Sequence, residues 1–83
     1  MKNAAQLKPG EIAVIVDVDN DHPSSHRILE IGFTPGQEIQ YLSGALFNDP
    51  MAFSIRGSIV AIRKNEASCI MIKPKHRPRK GFR

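Results

Sequence analysis

The apolar residues of this chain fall into short runs that alternate with polar ones and are cut apart by glycine, proline and polar clusters. Glu11–Asp19 is the strongest run. Ile12, Val14, Val16 and Val18 share one side and Ala13, Ile15, Asp17 and Asp19 the other, and four β-branched residues on one face mark it as a strand. Gln37–Ser43 sets Ile39 and Tyr41 opposite Leu42, and Met51–Arg56 sets Met51, Phe53 and Ile55 against Ala52, Ser54 and Arg56. Ser58–Arg63 and Ser68–Ile72 supply a fourth and a fifth strand, and Lys64–Ala67 between them is long enough only for a helical turn.

Helical spacing occurs in one place. In Arg27–Gly36 (RILEIGFTPG), Ile28, Leu29 and Ile31 cluster on one side of a helix of about two turns, too short to stand alone in water and so dependent on packing. Asp21, Ser24 and Ser25 are equivalent candidates for its N-cap, and Pro23 suits its first turn. Gly32 supplies the left-handed residue that ends it, and Phe33 is predicted to fold back onto Ile28. Thr34-Pro35-Gly36 then reads as a type II turn, and Lys8-Pro9-Gly10 repeats that logic after Leu7, the expected anchor of the N-terminus.

Five short strands and one helix in 83 residues predict a small all-β fold, a five-stranded barrel, since closing a sheet on itself buries apolar faces without helices to cover them. The charge is unevenly placed. Residues 73–83 hold six of the twelve Lys and Arg and none of the eight Asp and Glu, so residues 1–72 carry a net −2 and the formal +4 comes from the tail. The expected division is a barrel over 1–72 and a disordered basic tail over 73–83. No apolar run reaches the ~20 residues of a membrane-spanning helix. The N-terminus lacks a signal-peptide core and Cys69 is alone, so a cytoplasmic address is expected.

Catalytic chemistry finds no support: there is no glycine-rich phosphate loop, nucleophile motif or spaced Cys/His cluster, and no cofactor is implied. His22 and His26 stand four apart with Asp19 and Asp21 nearby, the only candidate metal ligands, but Pro23 sets His22 outside the helix and solvated histidines explain both. In the tail, Lys73, Lys75, Arg77, Arg79, Lys80 and Arg83 offer polyanion contacts, with nucleic acid or an anionic membrane face as the alternatives. Leu46 and Phe47 are the anomaly: two large apolar side chains in the loop Gly44–Pro50, which either plug the barrel or anchor a partner.

Several motifs in order resemble the FeoA family, the small companion of the bacterial ferrous iron transporter. They are LKPGE, RILEIGFTPGQEI, NDP, and IRG followed by VAIRKNEASCIMI, spanning about Leu7 to Ile72. Ile28 and Ile31 stand where leucines are usual, and Asn48 where glycine is usual; the basic tail lies outside the pattern. The resemblance implies an SH3-like barrel without catalytic residues, a protein-interaction module at the inner face of the membrane. Its implied partner is the cytoplasmic GTP-binding domain of a FeoB-type transporter. Leu46, Phe47, Arg27 and Arg56 are then the candidate contacts to that partner or to a second copy of the chain. A small barrel binding nucleic acid through its tail is the alternative.

Overall fold

A computed structural model describes residues 2–44 and 46–75. One antiparallel sheet carries the fold, in the order β1 (Lys2–Asn3), β6 (Ile70–Lys75), β2 (Ile12–Val18), β3 (Glu38–Gly44), β4 (Met51–Ile55), β5 (Ser58–Ile62). Helix α1 (Ser25–Ile31) lies between β2 and β3, and helix α2 (Lys64–Ala67) between β5 and β6. Single 3-10 turns occupy Ala4–Gln6 and Leu46–Asn48.

All five expected strands are present, and β1 is an addition. Two residues are too few to show a period; Lys2 and Asn3 pair with Ile72 and Met71, and Asn3 goes on to cap the following 3-10 turn. The expected boundary before Lys73 falls inside β6, because Lys73, Pro74 and Lys75 pair with Val14, Ala13 and Ile12.

Strand β2 buries residues from both of its alternating sets, Ile12 and Val18 from one and Ala13 and Ile15 from the other. Ala13 and Ile15 are buried, Val14 is half-buried and Val16 stands 41% exposed. A shift in the β2–β6 register between Ile15 and Asp17 then turns both Val16 and Asp17 outward and brings Val18 back to the core. The strand is apolar on both sides and buries residues from both, so its period alone does not say which positions are covered.

Elsewhere the predicted faces hold. Ile39, Tyr41, Met51, Phe53 and Ile55 are buried, and Phe53 joins Phe33 edge-on (centroids 5.9 Å apart) and Tyr41 (5.4 Å) at the centre. Helix α1 ends as read: Gly32 has φ 125°, its N–H donates to Leu29 O, and the Phe33 N–H donates to Ile28 O. That return buries Phe33 and Ile28 together, while Leu29 and Ile31 stay half-buried. Ser24 is the N-cap residue but makes no side-chain cap bond. The Gln37 N–H closes on Thr34 O at 3.0 Å around Pro35 and Gly36, and β3 then runs beside β2.

Candidate interaction site

Leu46 and Phe47 are 77% and 83% exposed, so neither plugs the core. They sit in the turn that joins β3 to β4, closed by the Asp49 N–H donating to Leu46 O at 3.2 Å, with Phe47 at φ 58°. A bulky residue in that region is uncommon and is held there by its surroundings.

The surroundings are specific. Asp49 Oδ1 accepts the backbone N–H of Lys64 at 3.0 Å and lies 3.2 Å from Arg63 Nε, which fastens the loop exit to the start of α2. Pro50 follows through a cis peptide bond, and Met51 is buried opposite Ile62. The apolar tip is therefore mounted on a fixed base, which lowers the ordering cost when a partner covers it.

Helix α2 is also the meeting point for α1. Glu66 Oε1 accepts the Arg63 N–H at 2.8 Å at the start of α2, and Glu66 Oε2 pairs with Arg27. His22 Nδ1 accepts the Ser24 N–H at 3.0 Å, which leaves the ring proton on Nε2 to be donated to Asn65 Oδ1 at 2.6 Å. Four residues that the sequence marks only as a helical turn thus brace the Leu46–Phe47 loop on one side and α1 on the other. Glu66, three residues after Arg63, could have hinted at this, but Arg63 has no side-chain acceptor to complete a capping box, so no full motif announces the turn.

The candidate residues divide accordingly. Arg27 spends its charge on Glu66, whereas Arg56 makes no ion pair among the described residues. Arg56 sits at φ 52° beside Gly57 in the β4–β5 turn, and its stem lies over Gly32 at the end of α1. His22 and His26 are not joined by further ligands: among the described residues no three His, Cys, Asp or Glu side chains gather as a metal group. Burial and the nearby Asp19 push the Cys69 thiol up, away from the thiolate that metal binding or nucleophilic attack requires. Lys73 and Lys75 lie on β6, where Lys75 pairs with Glu38 at 2.6 Å; Arg77, Arg79, Lys80 and Arg83 lie outside the described residues.

A family model described as FeoA domain matches residues 2–74. A fusion protein of Porphyromonas gingivalis, named as Fe(2+) transport protein A joined to the Fe(2+) transporter FeoB, is 33% identical over 69 residues. That match takes in 83% of this chain and 8% of the fusion, so the chain spans a small part of this relative's length. Among solved structures, the iron(II) transport protein A of Clostridium thermocellum superposes with a TM-score of 0.79 at 28% identity, covering 87% of this chain and 44% of that one. The zinc-complexed FeoA of Stenotrophomonas maltophilia, described as a prokaryotic SH3 domain protein, gives 0.76 at 22% identity over 88% of this chain and 91% of its own. The sheet described above has that SH3-like fold.

Proposed function

This chain belongs to the FeoA family, and on that premise we propose that it is an accessory protein of ferrous iron transport, a protein-interaction module for the cytoplasmic GTP-binding domain of a FeoB-type transporter. The observation that carries the reading is the Porphyromonas gingivalis fusion, in which a relative of this chain shares one polypeptide with the transporter. A covalent link raises the effective concentration of one part at the other, which benefits a pair that works in contact.

In this reading Leu46 and Phe47 are the anchors. Burying two large apolar side chains that are already exposed gives a partner a gain of about 1.5–3 kcal/mol each before ordering costs. Arg56, in the turn at the other end of β4, is the cationic candidate in preference to Arg27, whose charge is already met by Glu66. Iron is the transporter's cargo, and the reading needs no metal on this chain. The test is retention of the transporter's purified GTP-binding domain on the immobilised chain. Retention that survives Leu46→Ala and Phe47→Ala together moves the interface elsewhere. Retention of a single-stranded RNA instead of the domain favours the nucleic-acid alternative, and self-association lost with the same two changes assigns the anchors to a second copy.

A further inference from the structure

A second surface lies away from the Leu46–Phe47 loop, on the strands that hold the two ends of the described chain together. A solvent-open depression of about 470 Å³ is lined by Lys2, Val16, Ile72, Lys73 and Pro74. Its wall is apolar because of the β2 bulge: Val16 faces outward there, in a run where Asp17 has been turned out beside it. Lys2 and Lys73 flank it, and neither makes an ion pair among the described residues. β1 pairs with Met71 and Ile72, and among the described residues no strand lies beside Lys73–Lys75 on that side.

We propose that this depression is a docking site for an extended acidic peptide segment of a partner protein, with an apolar side chain resting on Val16 and Pro74 and carboxylates meeting Lys2 and Lys73. Three features converge on that occupant. A concave apolar patch takes a side chain, whereas a lipid surface is met by protruding groups. Two unpaired ammonium groups at its rim select negative charge. The run of β6 after Ile72, beside which no described strand lies on that side, has backbone groups along which an extended segment can lie. The chain's own tail is the wrong occupant on charge alone: Arg77, Arg79, Lys80 and Arg83 follow within eight residues of Lys75, and they would be repelled by both lysines while strengthening the field for an acidic ligand. The proposal is independent of the transporter reading, because it uses none of the residues assigned there.

The experiment is a titration of the full 83-residue chain, uniformly labelled with nitrogen-15, with the peptide acetyl-Asp-Glu-Leu-Glu-Val-Asp-amide, followed by amide chemical shifts. The expected result is saturable shifts centred on Lys2, Val16, Ile72 and Lys73, absent with the Asn/Gln version of the peptide. The variant Lys2→Glu with Lys73→Glu should weaken binding about tenfold or more. Val16→Glu, which leaves both lysines in place, should weaken it comparably; unchanged amide positions in the core show that each variant is folded. Phe47→Ala should leave the peptide affinity unaltered. The proposal is overturned by absence of shifts at millimolar peptide, by shifts confined to residues 76–83, or by equal binding to the charge-reversed variant. It is equally overturned if these residues respond only to phosphatidylserine vesicles or to oligouridylate.

Discussion

The Asp49 carboxylate accepts the backbone N–H of Lys64 at 3.0 Å, which joins the exit of an exposed apolar loop to the first residue of a four-residue helix. Neither part is stable by itself. A helix of one turn has paid for nucleation without any propagation to recover it, and a turn with Phe47 at φ 58° needs an external hold. Each supplies what the other lacks, and Arg27 and His22 extend the same brace to α1.

Asp49→Ala should therefore lower stability by about 1–2 kcal/mol in urea unfolding, the range for a lost helix cap, with little contribution from the exposed Arg63 pair. Asp49→Asn keeps an acceptor oxygen and should recover most of the loss. An alanine variant that melts like the parent would mean that the loop and α2 are held by packing alone.

Ile28 and Leu29 separate the core from its margin. Ile28 is fully buried and Leu29 half-buried, so Ile28→Ala should cost about 2–5 kcal/mol and Leu29→Ala distinctly less. Denaturant midpoints check the order. A larger loss at Leu29 would place the other face of α1 against the sheet.

These residues also show how far the sequence could be read. The stop at Gly32, the return of Phe33 and the turn at Pro35-Gly36 were legible because each depends on a local rule that only a few residue types satisfy. The inner face of β4 was legible because its outer positions, Ala52 and Ser54, are small or polar, and that of β3 because Glu38 and Gln40 flank Ile39, although Leu42 also lies on its outer side. The inner face of β2 was not, since Val14 and Val16 look as apolar as Ala13 and Ile15, and the choice is made by a bulge against β6 that no local pattern announces. At the candidate site, Leu46 and Phe47 were found because large apolar residues in a loop lack an internal reason. Whether they point in or out depends on Asp49 reaching a backbone N–H fifteen residues away, which is a tertiary fact.

The end of the body is open to a direct check by truncation. A chain ending at Lys75 should unfold at the same urea concentration as the full chain. One ending at Ile72 loses the pairs to Val14, Ala13 and Ile12 and the Lys75–Glu38 contact, and should be less stable by about 1 kcal/mol or more. Retention on oligouridylate or phosphatidylserine vesicles should fall with removal of residues 76–83. Retention that persists would move the polyanion surface onto the sheet.

The central claim is that Phe47 is held outward to meet a protein partner, and calorimetric titration of the transporter's purified GTP-binding domain with the parent chain and with Phe47→Ala tests it most directly. The account predicts saturable binding by the parent and a loss of about 2 kcal/mol, roughly thirtyfold in Kd, for the variant. Its unfolding free energy should shift by less than about half a kcal/mol, because an 83% exposed ring gives up little on truncation. Equal affinity in parent and variant, or no binding by the parent, would contradict the claim.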